Sequence, residues 1–262
     1  MHRPTLKSVS RAAMASLAAL GLAGIATAEP PPPPDWDLGI GFYGWLTASD
    51  LQVEGDAVNP EFFGERDTRN FDKGLGDAFD DWDGGGGAYI DGRYMRFVGL
   101  VDGGWVQTDG DHGSWHTNTY VDAKVGFRVL DVPRPWSNST AADAPRFHLD
   151  LLAGMRYREN TADVGDSSGI NADEVRDWFD PVVGLRWRVE LIPNLTFQTV
   201  ADIGGFNLGE ASNLTWSVNP RLNYRAWDHL DFFLGWKHIQ DDHDGDLEVG
   251  LNGPQAGIGY SF

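Results

Sequence analysis

The chain has 262 residues, no cysteine and a formal net charge of −19, and aromatic residues make up 12% of it. The absence of cysteine excludes disulfides and thiolate metal sites, and the acidity argues against a nucleic-acid or phosphate-binding role, which needs basic patches. After the N-terminus, the sequence contains no run of about 18 apolar residues, so no membrane-spanning helix is predicted.

The N-terminal residues 1–28 have the pattern of a secretory signal. Basic residues precede an apolar stretch over Ala12–Ile25, and Ala26-Thr27-Ala28 offers the small residues of a cleavage site. A short membrane anchor is the alternative interpretation. Residues 29–36, which include the run Pro30–Pro34, predict a stiff polyproline spacer in the periplasm.

From residue 37 onward, apolar and polar residues alternate with the period of a β-strand. The clearest segments are 147–158, 179–191, 214–226 and the strand that ends at Phe262. Weaker alternation occurs near 37–48, 85–94, 95–107, 117–130, 195–206 and 229–240. This makes ten strands, most of them long enough to cross a bilayer at a tilt.

The connections between these strands alternate in length. Short ones are predicted near 91–95, 193–194 and 227–229, and longer ones, rich in Asp and Gly, near 49–84, 108–116, 159–178, 207–213 and 241–250. Short periplasmic turns and long extracellular loops are typical of membrane barrels. Two segments fit less simply: 131–146 is long where a short turn is expected, and 49–84 has room for a further hairpin.

The predicted fold class is therefore all-β, an antiparallel up-and-down transmembrane β-barrel over residues 37–262. About ten strands are expected, with eight or twelve as alternatives, and long acidic extracellular loops. A soluble, lipocalin-like barrel would turn its apolar face inward. The opposite orientation is favoured because Arg and Asp share the polar faces and because aromatic residues lie near strand ends, as in an interfacial girdle. Those aromatic residues are Trp105, Trp216, Trp236, Tyr157 and Tyr260.

With the apolar face outward, the charged residues of the strands face the lumen. The predicted lumen network consists of Asp91, Arg93, Asp102, Asp122, Lys124, Arg128, Asp150, Arg156, Asp180, Arg186, Arg188, Glu190, Asp202, Arg221, Arg225 and Lys237. The opposite charges nearly balance, which favours a lumen plugged by ion pairs because unpaired charges in a narrow interior are costly. A narrow, weakly anion-selective channel for small solutes is the alternative.

Several segments resemble a family of proteobacterial outer-membrane β-barrel proteins. They are Trp178–Arg186, Ala201–Phe206, Leu214–Trp216 and Gly253–Ile258, followed by the final aromatic residue. The resemblance implies the fold, a location in the outer membrane of a Gram-negative bacterium and contact with its lipids and lipopolysaccharide. It carries over no catalytic residues. The C-terminal Ile258, Tyr260 and Phe262 also resemble the signal by which the outer-membrane assembly machinery recognises its clients.

One acidic segment predicts a metal site. Asp242, Asp244 and Asp246 surround Gly245, and closely spaced carboxylates at a sharp turn suit Ca²⁺. With a second acidic stretch, Asp77–Asp83, they could hold a divalent cation that also bridges lipopolysaccharide phosphates. The alternative is a solvated hairpin tip, and no other cofactor is expected.

Two histidines were considered for catalysis. His238 lies on the apolar face near the outer end of its strand, as a lipid hydrolase would require, but no nucleophile accompanies it in the order His238-Ile239-Gln240. His148, beside Asp150, fits the ion-pair network better than a catalytic base. The expected role is therefore non-enzymatic, structural or in surface interaction, with a narrow channel and a lipid-modifying enzyme as alternatives. No nucleic-acid partner is expected, and the oligomeric state is left open.

Overall fold

A computed structural model of the chain describes residues 36–53, 69–73, 84–109, 115–133, 146–165, 171–243 and 247–262. Its strands are β1 (Trp36–Leu46), β2 (Ala48–Val53), β3 (Arg69–Lys73), β4 (Gly84–Tyr94), β5 (Phe97–Asp109), β6 (Trp115–Pro133), β7 (Arg146–Gly165), β8 (Asn171–Ile192), β9 (Leu195–Gly205), β10 (Leu214–Trp227), β11 (Leu230–His243) and β12 (Leu247–Ser261). The predicted signal lies outside the described residues, as does the spacer apart from Trp36, which begins β1. No described helix is long and apolar enough to cross a membrane.

Ten of these strands form one closed antiparallel barrel. The order is β1-β4-β5-β6-β7-β8-β9-β10-β11-β12, and β12 pairs back onto β1. Gly39, for example, is paired with Asp91 on one side and with Ser261 on the other. Closure matters because a sheet without free edges satisfies its backbone hydrogen bonds internally, as a lipid environment requires. The predicted ten-strand up-and-down barrel is confirmed.

The remaining two strands form a hairpin that rises from the barrel wall. Residues 255–261 of β12 pair with β1, and residues 247–252 of the same strand pair with β2, so β2 continues the line of β1 beyond Thr47. β3 then pairs with β2, with Ser49 opposite Lys73. The segment 49–84 therefore holds the further hairpin, but this hairpin adds no strand to the closed wall.

Two of the predicted long loops are wrong. Residues 159–178 were expected to be a loop, but β7 and β8 continue to Gly165 and Asn171, which face each other across the hairpin. Residues 241–250 were also expected to be a loop, but β11 runs to His243 and β12 begins at Leu247. Beyond the apolar belt the outward positions are polar as well, so the backbone ladder continues where the alternation in hydrophobicity stops. Strand β6 runs to Pro133 and β7 begins at Arg146, so the connection predicted at 131–146 comprises only 134–145. These residues lie outside the described part of the chain.

The apolar side chains point outward and the charged ones inward. Leu234 is 68% exposed and Leu151 52%, whereas Arg156 is fully buried in the lumen. A water-soluble barrel would reverse these exposures, so the outer surface suits hydrocarbon and not water. The turn end of the barrel carries the short turns between strands and the described chain ends Trp36 and Phe262; the loop end, opposite, carries the turn at residues 206–213.

A charge placed on this outer surface should be costly. We expect Leu234→Arg to lower the free energy of unfolding by about 2–4 kcal/mol in lipid vesicles, because the guanidinium would have to enter the hydrocarbon. Asp228→Arg, in the exposed turn between β10 and β11, should change it by no more than about 0.5 kcal/mol. Urea unfolding followed by tryptophan fluorescence measures both, and equal effects would contradict an outer surface in contact with lipid.

Candidate functional site in the barrel lumen

The centre of the lumen is held by Arg156, a fully buried side chain on β7. Its Nε donates to Asp122 on the neighbouring β6 at 2.7 Å. Its Nη2 donates to Asp202 on β9 at 2.8 Å and to Ser217 on β10 at 3.0 Å, and its Nη1 donates to Thr215 at 2.7 Å. One guanidinium thus ties together four strands.

Lys124 completes this central group. Its ammonium lies 2.9 Å from Asp122 and 2.8 Å from Asp202, so each of the two carboxylates faces two cations. The four side chains carry no net charge and are all at least nine-tenths buried. We call Asp122, Lys124, Arg156 and Asp202 the central layer. Buried charges of this kind are tolerated only when they are paired and fully hydrogen-bonded.

Beside the central layer, Lys237 of β11 reaches across the lumen. Its ammonium donates to Asp102 of β5 at 2.9 Å and to the hydroxyl of Tyr120 of β6 at 2.6 Å. The hydroxyl of Tyr43 of β1 accepts a third bond at 3.2 Å. A lysine ammonium has three N–H groups, and here three oxygens from three strands accept them. The two tyrosine hydroxyls are absent from the lumen network predicted from the sequence, because that prediction considers only charged side chains.

A second ion-pair group lies toward the turn end. Arg186 of β8 lies 2.8 Å from Asp150 of β7 and 2.5 Å from Asp91 of β4, across the lumen. Asp150 is shared with Arg128 at 2.8 Å, and Asp91 with Arg188 at 3.4 Å. Three arginines therefore share two carboxylates.

Toward the loop end, Arg158 lies 2.5 Å from Asp241 of β11 and donates to Asn118 at 3.0 Å. Asp241 was missed as a lumen residue because its segment was predicted to be a loop; the phase of Lys237 on the same strand would have placed it inward. Around this pair the lumen is filled by buried apolar and aromatic side chains. They include Trp45, Val106, Trp178, Ile239, Val249 and Leu251.

Asp180 faces inward as predicted from its phase, but within the described residues it pairs with no cation. Its carboxylate accepts the backbone N–H of Ser212 at 2.7 Å, the Ser212 hydroxyl at 3.0 Å and the Trp178 indole N–H at 3.0 Å. The side chain therefore holds the turn at residues 206–213 against the mouth of the barrel. A pattern of alternation shows which face a carboxylate occupies, but not that a neighbouring turn will fold back onto it.

Three other predicted network members lie at the rim of the turn end. Arg225 is half exposed and pairs with Asp231 at 3.1 Å, and Arg93 donates to the turn carbonyl of Met95 at 3.5 Å. Glu190 accepts the backbone N–H of Arg146 at 3.0 Å. All three face inward, as the alternation predicts, but they lie too close to the strand ends to reach across the lumen.

Arg221 occupies an unusual position in the lumen. It is 5% exposed, and its guanidinium carbon lies 4.8 Å from the ring centre of Tyr89 and 5.1 Å from that of Phe233. In the described part of the chain no acceptor meets its Nε and no carboxylate forms an ion pair with it. It therefore lies in the lumen but outside the ion-pair network predicted for it.

The two histidines considered for catalysis have packing partners. The His238 ring packs against Trp216 on the outer surface in a tilted arrangement with 4.4 Å between ring centres, and no described acceptor or donor meets its Nε2. The Nδ1 of His148 lies 3.4 Å from Asp131 and not beside Asp150, whose carboxylate is taken up by arginines. Among the described residues neither imidazole forms a hydrogen bond with a hydroxyl that could act as a nucleophile.

The predicted metal site is only partly described. Asp242 lies in β11 and accepts a bond from the Asn213 amide at 3.4 Å, while Asp244, Asp246 and the stretch 77–83 lie outside the described residues. No group of three potential metal ligands is found where the structure describes the chain. Calcium binding remains a prediction.

The C-terminal residues proposed as an assembly signal share the outer face of β12. Ile258, Tyr260 and Phe262 are all exposed, and the rings of Tyr260 and Phe262 lie 5.0 Å apart in an edge-to-face arrangement. The backbone N–H of Phe262 donates to the carbonyl of Leu38 at 2.9 Å, so the last residue is tied to the first strand.

No protein-family profile and no curated protein sequence matches the chain. Among solved structures it is similar to the outer membrane protease OmpT from Escherichia coli, with 10% identity, a TM-score of 0.53 and coverage of 90% of this chain and 99% of that one. It is also similar to the attachment invasion locus protein Ail of Yersinia pestis (11% identity, 87% and 99% covered, TM-score 0.39) and to the translocator domain of the autotransporter NalP from Neisseria meningitidis (11%, 96% and 96%, 0.35). At these identities the likeness to OmpT shows a shared fold and nothing further. The chain has the fold of a bacterial outer-membrane β-barrel, and the family resemblance from sequence stays a prediction.

The central layer should carry a large share of the stability. We expect Arg156→Met to lower the free energy of unfolding by about 3–5 kcal/mol, because Asp122 and Asp202 would lose the guanidinium they share. Arg225→Met removes the same charge from an exposed rim pair and should cost less than about 1 kcal/mol. Urea unfolding of the refolded barrels compares the two, and similar losses would contradict the role assigned to the central layer.

Proposed function

We propose that the chain is an integral outer-membrane protein of a Gram-negative bacterium, with a closed lumen and a structural or surface-interaction role. Its turn end would face the periplasm and its loop end the exterior. The apolar outer surface, the polar interior and the fold shared with OmpT support this location. The predicted signal at residues 1–28 would supply the export route, and Ile258, Tyr260 and Phe262 the contact with the assembly machinery.

The observation that carries the closed lumen is the set of bonds that cross it. Asp91–Arg186 joins β4 to β8, Asp102–Lys237 joins β5 to β11, and Lys124–Asp202 joins β6 to β9. These contacts run between strands on different sides of the wall, so each takes up part of the interior cross-section. Above them, the apolar cluster at the loop end excludes water. An ion would have to break paired, desolvated charges to pass.

The channel alternative and the enzyme alternative have less support. A narrow channel would need a continuous polar path, and the side chains that would line it are bonded to one another. A lipid-modifying enzyme would need a nucleophile oriented beside His238, whose ring packs on Trp216 instead. Lipopolysaccharide and outer-membrane lipids are therefore proposed as surroundings of the barrel and not as substrates.

Planar-bilayer recording tests the closed lumen. We expect the wild-type barrel to show no stable current steps, and Asp122→Ala/Arg156→Ala to show them, because this double variant removes a paired acid and base from the centre of the lumen. Arg225→Ala/Asp231→Ala removes a pair of the same kind from the rim and should stay silent. Regular conductance steps from the wild type would favour the channel alternative.

Surface labelling tests the location and the orientation. We expect an epitope inserted after Gly209, in the loop-end turn, to bind antibody on intact cells. The same epitope inserted after Asp228, at the turn end, should bind only after the outer membrane is permeabilised. Both positions are exposed in tight turns, so they tolerate insertion comparably. Labelling of Asp228 insertions on intact cells would reverse the proposed orientation, and labelling of neither would remove the outer-membrane assignment.

A further inference from the structure

Arginine side chains are concentrated in the half of the lumen toward the turn end, although the chain as a whole is acidic. Four buried or half-buried guanidinium groups face two carboxylates there. The cations are Arg128, Arg186, Arg188 and Arg221, and the carboxylates are Asp91 and Asp150. Of the rim carboxylates, Asp131 pairs with Arg146 and lies 3.7 Å from Arg128, and Asp231 pairs with Arg225, so neither forms an ion pair with Arg221.

Arg221 is the member of this group that forms no ion pair among the described residues. The other three arginines share Asp91 and Asp150, whereas Arg221 contacts the rings of Tyr89 and Phe233. A buried cation without a paired anion is strongly unfavourable unless something neutralises it. Contact with aromatic rings offsets only part of this cost, because a cation–π contact is worth about 0.5–2 kcal/mol.

The surroundings of Arg221 depend on glycines of the inner face. A Cβ at Gly235, opposite Arg221 on β11, would lie 2.8 Å from the Arg221 side chain. A Cβ at Gly257 would lie 2.5 Å from the Phe233 ring, and one at Gly259 would lie 2.5 Å from the Tyr89 hydroxyl. Glycine at these three positions therefore leaves room for the Arg221 side chain and for the rings of Tyr89 and Phe233.

Gln198 lies between Arg221 and Arg188 in the sheet. Gln198 of β9 is paired in register with Arg188 on one side and with Arg221 on the other. Its amide oxygen accepts both the Nε and the Nη2 of Arg188, at 2.9 and 2.7 Å. Arg188 is thereby held beside Arg221, and its side chain is 29% exposed toward the turn end.

We propose that Arg221, with Arg188 beside it, forms a binding site for a small oxyanion that enters the lumen from the turn end. A planar guanidinium suits phosphate, sulfate or carboxylate oxygens because it can donate two parallel hydrogen bonds. The entry direction rests on the proposed function, since the central layer closes the lumen on the other side; the site itself does not depend on that closure.

Thermal unfolding of the whole refolded barrel in detergent, with sulfate exchanged for chloride at constant ionic strength, tests the site. We expect Tm to rise with the logarithm of the sulfate concentration above the Kd, reaching an increase of about 3–5 °C at about ten times the Kd. Inorganic phosphate should behave similarly. Arg225→Met, which removes an arginine from the same face of β10, should keep this logarithmic rise, and Arg221→Met should lose it.

Arg221→Lys provides a second measurement should Arg221→Met fail to fold. It keeps the charge but cannot donate the two parallel bonds, so the half-saturating sulfate concentration should increase roughly tenfold. A wild-type Tm that changes only linearly with sulfate, or a logarithmic rise of equal size in Arg221→Met, would overturn the proposal. A wild-type barrel that conducts would instead end the closed-lumen proposal and leave this titration unaffected.

Discussion

Charge neutrality inside a narrow, desolvated lumen is the constraint on which the rest of the barrel depends. Every second side chain of the ten strands points into the lumen. Once the Arg156 guanidinium is buried there, its charge must be paired with carboxylates within hydrogen-bond distance. Asp122 and Asp202 meet it from two different strands, and Lys124 balances the second negative charge. The same bonds that remove the cost of burial also join the walls, so neutralisation and closure of the lumen have one physical cause.

The two faces of each strand are stabilised in different ways. Outward, Leu234 and its neighbours lose nothing by meeting hydrocarbon, and they need no specific partner. Inward, each charged side chain needs a particular oxygen or guanidinium at a particular height on another strand. Lys237, for instance, is satisfied only because Asp102, Tyr43 and Tyr120 converge from three other strands. The outer surface therefore tolerates exchange among apolar residues, while the interior tolerates little.

The sequence predicts the wall better than the contacts inside it. Period-two alternation was enough to find ten strands and to orient Lys124, Arg156 and Asp202 inward, because strand geometry dictates which side chains share a face. It could not pair Asp102 with Lys237, since which strands face each other across the lumen depends on barrel diameter and strand stagger. It also failed for Asp241, because a strand beyond the apolar belt has polar residues on both faces and loses the pattern that identifies it.

The way β12 divides its pairing between β1 and β2 bears on how the barrel comes to close. The other pairings in the wall join successive strands, or β1 and β4 across the β2–β3 hairpin, whereas Gly39 and Ser261 meet only when the whole sheet has curved round. Such a distant contact carries the largest loop entropy and is expected to form late. Because the partner of β12 changes at Thr47, the seam consists of two segments. Whichever segment pairs first carries most of the loop-closure entropy, and the other then pairs as a local extension of it.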